Sequence, residues 1–232
     1  MNRTILLLLL LLSVSYTTLA QTGKLTGEQI VRKMTTAYAT AKSYEDVGLV
    51  QDIPSGGSTP EPVNSFKTYF VRPGKFRFEW EDVFPAGERN ILWSEGKGVF
   101  AYWSWAGLEK QESLEMAIAG ATGVSRGAAH TVPTLLMKEI GGFRLNELQR
   151  LALVREERFE DTDCYVVRGF HPFGFPIDIW IAKSDFLIRR ERETNNDGRV
   201  EEEIRRSINL NQPIASEVFQ YTPPKTKFDA RK

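Results

Sequence analysis

Two hydrophobic periods alternate along this chain. From Lys75 to Trp80 every second residue is apolar: Phe76, Phe78 and Trp80 share one face, Lys75, Arg77 and Glu79 the other. That is the period of a half-buried strand. Pro73-Gly74 separates it from an earlier run, so Phe66–Arg72 and Lys75–Asp82 are predicted to pair as a hairpin. Between Thr26 and Ala41 the spacing lengthens. Ile30, Met34, Tyr38 and Ala41 recur at helical offsets, and Thr26 with Gln29 fits a capping box. A strand over Tyr44–Ile53 follows, then a turn-rich loop, Pro54–Pro62. A second hairpin is expected from Asn90–Ser94 and Val99–Trp105, joined by EGKG.

The strand pattern then breaks. Leu114, Ala117, Ile118 and Ala121 predict a helix over Gln111–Ala121, and GATGVSRGAAHT reads as a small, flexible linker. Pro133–Ile140 reads as a short helix, with proline at its start and Gly141-Gly142 at its end. Strands resume at Leu151–Phe159, Tyr165–Phe170 and Phe175–Ala182, followed by a hairpin of Phe186–Thr194 and Arg199–Leu210 turned by NNDG. The tail FQYTPPKTK begins as a strand end and closes with prolines. One helix, strands, two helices and more strands make an α+β chain, with helices on one side of a large antiparallel sheet. A sheet of that many strands curls, and helices over its concave side leave a natural cavity.

Composition narrows the function. The chain has 232 residues with 30 basic and 30 acidic side chains. A net charge of zero gives no long-range field to attract nucleic acid or an anionic membrane. Arg3, the apolar run Ile5–Leu12 and TTLA ending at Ala20 form a signal-peptide pattern. The expectation is a leader over 1–20, cleaved near Ala20, and a single exported domain over 21–232. No cysteine follows Ala20, so no lipid anchor is expected there. Cys164 is the only cysteine; it can form no internal disulfide and reads as a buried thiol.

No catalytic set stands out. GVSRG (Gly123–Gly127), with His130 nearby, matches the G-x-S-x-G esterase string. A nucleophile elbow needs a strand before the serine, and here a helix precedes it. His130 and His171 lack metal-ligand spacing, and no metal or cofactor is expected. Glu79 and Glu81 share a charged face with Lys75 and Arg77, which reads as solvated. RRERE (Arg189–Glu193) opposite EEEIRR (Glu201–Arg206) reads as cross-strand ion pairs that set register and solubility. The unusual feature is aromatic content: Phe66, Phe70, Phe76, Phe78, Trp80 and then AYWSW (Ala101–Trp105). These rings fit either a thick core beneath Thr26–Ala41 or the lining of a pocket.

YFVRPGKFRFEW, NILWSEGKGVFAYW, TVPTLLMKEI and EVFQYTPP, in that order, resemble the periplasmic outer-membrane lipoprotein carriers (LolA-like) and their lipoprotein-sorting relatives. The resemblance covers most of the mature chain. It implies an unclosed half-barrel whose helices form a lid over an apolar cavity for the acyl chains of lipoproteins. By that resemblance Arg72 of the Arg-Pro pair is the lid latch, hydrogen-bonding lid carbonyls. Phe76 and Phe78, with Trp80 and Phe70 on the same face, line the cavity, and Leu135, Leu136 and Ile140 supply the lid's apolar side. The expected protein is a monomeric, periplasmic, non-enzymatic carrier. Its partners are acyl chains of lipoproteins or free lipids, with membrane-bound donor and acceptor proteins; nucleic acid is excluded. Regulators that sense envelope stress share the fold and give the alternative function; a hydrolase using Ser125 is the remote one. Two features depart from the carriers: the small-residue stretch Ala117–Ala129 is longer, and the first strand, SYEDVGLVQDI, is more acidic.

Overall fold

A computed structural model of the protein describes residues 24–84, 87–194 and 198–224. The expected leader and most of the NNDG turn lie outside the described residues. The chain runs α1 (Gly27–Thr40), β1 (Ser43–Ile53), β2 (Glu61–Val71), β3 (Lys75–Asp82), β4 (Arg89–Glu95), β5 (Val99–Trp103) and β6 (Gly107–Gln111). Then come α2 (Leu114–Val124), α3 (Ala128–Thr131), α4 (Pro133–Leu136), β7 (Gln149–Phe159), β8 (Thr162–Phe170), β9 (Pro176–Ala182), β10 (Ile188–Thr194) and β11 (Val200–Leu210).

All eleven strands form one antiparallel sheet in the order β6-β5-β4-β3-β2-β1-β11-β10-β9-β8-β7. The two meanders are joined at its centre by β1 and β11, from Tyr44 opposite Leu210 to Ile53 opposite Val200. Strands β6 and β7 are the free edges and do not pair with each other, so the barrel is unclosed. The segment connecting those two edges contains α2, α3 and α4. These helices therefore occupy the open side, with α1 beside them. This is the expected α+β half-barrel.

Local chemistry explains most boundaries. Thr26 caps α1 with the predicted capping box, and Ile30, Met34 and Tyr38 are its buried stripe. Tyr38 reaches across the interior, where its hydroxyl accepts from the Ile188 amide at 3.0 Å. Gly48 sits where a side chain has no room: a Cβ there would lie 2.2 Å from the Phe66 ring and 2.5 Å from the Ile204 carbonyl.

Several expectations are corrected. Strand β5 stops at Trp103, and the residues after it turn into an unexpected edge strand, β6. Helix α2 starts at Leu114 because Ser113 caps it, accepting from Met116 N at 3.1 Å. GATGVSRGAAHT is no linker; it completes α2 and forms α3. The helix expected over Pro133–Ile140 ends at Leu136, as Met137 turns extended. The tail is no strand end: residues 216–219 form a 3-10 turn lying on the convex face.

That tail also overturns the solvated reading of β3. Arg77 donates to the carbonyls of Val218 (2.8 Å) and Gln220 (3.1 Å) and pairs with Glu79 at 2.7 Å. Both side chains are buried. Tyr221 stands edge-on to Trp93, ring centroids 5.3 Å apart. Further along the convex face, Cys164 packs with Val166, Trp180 and Ala182. Burial pushes its thiol pKa up to about 11, which leaves an unreactive group.

The lid, the apolar wall and the acidic wall

Helices α1 and α4 both end without a basic residue in the last turn, leaving C-terminal carbonyls and their partial negative charge uncompensated. Arg72, at the β2–β3 turn, supplies the missing donor. Its Nε donates to the Ala41 carbonyl at 2.7 Å. Its Nη2 lies 2.7 Å from the Ala39 carbonyl, 2.8 Å from that of Leu136 and 3.4 Å from that of Tyr38. One guanidinium thus ties the end of α1, the end of α4 and a sheet hairpin together.

Arg144 clasps α4 and the residues just after it from the other side, and the sequence reading missed it. It donates to the carbonyls of Thr134 (3.3 Å), Lys138 (2.8 Å) and Ile140 (2.5 Å). The two arginines flank a cleft of about 310 Å³ between α1 and α4, lined also by Thr35, Ala39 and Leu135. Backbone carbonyls carry no residue signature. Only the position of Arg144 just past Gly141-Gly142, the expected helix end, marked it.

Beneath the helices, the register places Phe66 opposite Trp80, Thr68 opposite Phe78 and Phe70 opposite Phe76. The rings form a continuous run: Phe66 to Phe78 at 5.9 Å, Phe78 to Trp80 at 5.6 Å, Trp80 to Trp103 at 5.7 Å. Phe70, Phe76, Phe78, Trp80, Leu135, Leu136 and Ile140 are all buried in one cluster, with Met34 of α1 and Ile118 of α2. The sequence-predicted residues are therefore brought together. The concavity between them is filled by the protein's own side chains rather than open.

The other half of the concave face is charged. Glu191 stands opposite Glu203 and Glu193 opposite Glu201. These like-charge pairs correct the expected ion-pair ladder. Only the convex side of that hairpin has the ladder, where Arg190 and Arg192 pair with Glu202. Arg205 is completely buried and pairs with Asp46 and Glu203. Thr131 of α3 donates to Glu203 at 2.8 Å, and Arg126 lies 3.4 Å from Glu201 and 3.7 Å from Asp52. Burial pushes Glu201 up to about 7; Arg126 opposes the shift, and Asp52, Glu193 and Glu203 add to it. Glu191 is raised well above the usual carboxylate range by burial and then by Glu203 and Glu193.

Ser125 is the C-cap of α2. It is buried, its hydroxyl accepts from Ala129 N at 3.1 Å, and His130 Nε2 meets the Gly141 carbonyl at 2.9 Å instead of the serine. His171 stacks edge-on with Phe143, 4.2 Å between centroids. Among the described residues, no group of three or more His, Cys, Asp or Glu side chains is placed to hold a metal ion.

No family model matches the chain, and no curated protein does. Solved structures do. A DUF1329 family protein from Desulfovibrio piger is 13% identical over 84% of this chain and 96% of its own, with a TM-score of 0.39. The MucA/MucB complex of Pseudomonas aeruginosa gives 13% identity, 84% coverage and a TM-score of 0.49, and the match spans 61% of that chain. LolA superfamily protein NE2245 from Nitrosomonas europaea gives 11% identity over 85% of this chain and 99% of its own, with a TM-score of 0.35. At these identities the likeness is one of chain course alone. In its own geometry this chain is a half-barrel left open, with helices between its free edges and an Arg-Pro hairpin bound to them.

Proposed function

We propose that the protein is an exported, non-enzymatic binder of acyl chains in the periplasm, opening by displacement of its helical lid. The observation that carries this reading is the set of hydrogen bonds from Arg72 to α1 and α4. Helices buried by a permanent core need no such clasp; helices that must leave and return need one that is weak and specific. Hydrogen bonds worth about 0.5–1.5 kcal/mol each suit that role. Beneath them lies a wall of rings able to exchange one apolar partner, Leu135 and Leu136, for another. An acyl chain regains about 0.8 kcal/mol per buried CH₂, so a chain of ordinary length offsets the opening. In this reading Phe70, Phe76, Phe78 and Trp80 face the chain, Leu135, Leu136 and Ile140 form the lid's underside, and Arg72 is the latch. Export is part of the proposal and is supported by the apolar run Ile5–Leu12 after Arg3.

Native mass spectrometry of protein purified from cells, combined with titration by a fluorescent fatty acid, tests it. Co-purifying lipid or saturable uptake is expected. Empty protein that also ignores the probe contradicts it.

A second reading, an envelope sensor that binds a protein partner, is favoured by the aromatic residues at one end of the sheet. Phe84 in the β3–β4 turn is 92% exposed, Phe173 in the β8–β9 turn 81% and Trp105 in the β5–β6 turn 49%. Co-purification with a membrane-anchored regulator that Phe84→Ser abolishes, in a protein that takes up no fatty acid, would favour this reading over the first.

A further inference from the structure

The hydrogen bonds that hold α3 to the sheet end on the acidic wall. Arg205 Nη2 donates to the Ala128 carbonyl at 3.4 Å, and the Thr131 hydroxyl donates to Glu203 at 2.8 Å. The turn before α3 is held in the same way, by Arg126 to Glu201 and Asp52. The wall that receives these ties repels itself. Glu193, Glu201 and Asp52 stand in one row across β10, β11 and β1, and Glu191 faces Glu203 two residues along. Like charges directly opposite one another in a sheet are destabilising. Arg126, Arg199 and Arg205 pair with Asp46, Asp52, Glu201 and Glu203; among the described residues no cation is paired with Glu191 or Glu193. A cavity of about 90 Å³ lies against α3, lined by Arg126, Thr131 and the four glutamates.

Other titratable groups face this corner from the neighbouring elements. His130 of α3 and His171 of the β8–β9 turn line a second cavity, of about 150 Å³, together with Glu191 and Glu193. The Gly141 carbonyl occupies His130 Nε2, and the Gly141 amide donates to Glu115 of α2 at 3.0 Å. Behind the wall, Tyr44 donates to Asp46 at 2.6 Å, and the Tyr38 hydroxyl of α1 is held by the Ile188 amide. Arg144 is taken up by carbonyls of α4 and beyond. The chain enters α3 through Gly127, at φ +84°. A Cβ there would meet nothing within 4 Å, so the left-handed backbone, not lack of room, calls for glycine. It is a pivot beside the repelling wall.

We propose that the seat of α3 on β10 and β11 is a proton-controlled clasp: protons on Glu191 and Glu201 keep α3 seated in mild acid, and their release to solvent towards neutrality loosens it about Gly127. Seating strips water from these carboxyls. Burial accordingly pushes Glu201 up to about 7 and Glu191 well above the usual range, with Arg126 opposing the first and Arg205 the second. A carboxyl left open to water keeps the ordinary 4.5. The seated state therefore binds the protons, and seating is complete below about pH 4.5 and weakens as pH rises through about 7. The clasp works whatever the cavity takes up, and its failure leaves the acyl-chain reading standing.

Amide hydrogen exchange of the ligand-free full chain at pH 5.0 and 7.5, read as protection relative to the unstructured rate, tests it. The reporters are His130 and Thr131, whose amides both bond to the Gly127 carbonyl; Phe78 and Ile179 in β3 and β9 report the core. Protection at the α3 reporters is expected to fall about tenfold, the scale of one linked proton over one pH unit, and to be insensitive to low urea, as a local opening is. In Glu191→Gln/Glu201→Gln the fall disappears and protection at pH 7.5 stays at the pH 5.0 level; Glu191→Gln alone reduces it. His130→Asn keeps the fall. Four results overturn the clasp: equal protection at both pH values, a fall that survives in the double variant, a fall abolished by His130→Asn, or α3 reporters that follow the core in urea and so exchange only by global unfolding.

Discussion

The guanidinium of Arg205 lies 4.8 Å from the centroid of the Phe66 ring, and at that contact the apolar and acidic halves of the interior meet. Phe66 can occupy the seam only because Gly48 leaves the space above β1 empty. Replacing Gly48 by valine pushes two methyl groups into the ring and the Ile204 carbonyl. Overpacking of this sort costs about 1–3 kcal/mol, and here it also separates Arg205 from the ring. A chemical-denaturation midpoint well below that of the parent is expected. An unchanged midpoint would mean that β1 shifts freely and that the seam is no constraint.

Arg72 is expected to control access more than stability. Its bonded carbonyls lie near the surface and water can replace the donor, so Arg72→Ala should cost roughly 2 kcal/mol and increase hydrogen exchange at the lid amides that report closure, Leu136 and Met137. Arg72→Lys should fall between, because a single ammonium cannot reach the ends of α1 and α4 at once. Exchange that stays at the parental rate in both variants would remove the latch from the account.

The acidic wall sets a pH dependence with a definite sign. The Glu201 carboxyl is held up to about 7 in the folded protein against an ordinary value of 4.5. Between those values the folded state binds the extra proton, so this group's stabilising contribution is fully present below about pH 4.5 and is lost as pH rises through about 7. Glu191 acts in the same direction. Glu202, lowered by its arginines despite burial, acts oppositely, with its contribution lost on acidification below 4.5. The melting temperature should therefore fall between pH 5 and pH 7.5. Glu201→Gln should flatten that slope by roughly 1–2 kcal/mol, allowing for its partial exposure. A parental profile that is flat or rising over this range contradicts the assignment.

Ser125 gives a negative prediction of equal weight. Its hydroxyl is occupied by the α2–α3 turn, so Ser125→Ala should loosen that turn and leave ester hydrolysis at the background level of the parent. Turnover of p-nitrophenyl butyrate that vanishes in the variant would revive a hydrolase.

How much of this was legible in the sequence depended on how local each cause was. Strand β3 was readable to the residue because three rings in strict alternation leave one solution. Helix α1 was fixed by Thr26, Gln29 and an apolar stripe that all act within four turns. The edge strand β6 was not readable: GLEKQ has little strand propensity and pairs only because β5 lies beside it. Nor was the burial of Arg77 and Glu79, which depends on a tail that returns from 141 residues away. Alternation gave the faces of β10 and β11 but not the partners. The register that sets Thr194 opposite Val200 puts glutamate against glutamate, and one residue of slip would have paired glutamate with arginine.

Whether the helices move aside for a chain is best measured by distance. Spin labels at Lys138, just beyond α4, and Lys97, in the β4–β5 turn, sit on exposed positions on the lid and on the sheet. Lengthening of the label-to-label distance as palmitate saturates the protein, absent in Phe76→Glu, is the predicted result. A distance unchanged at saturation, with the chain bound elsewhere, would contradict the central claim.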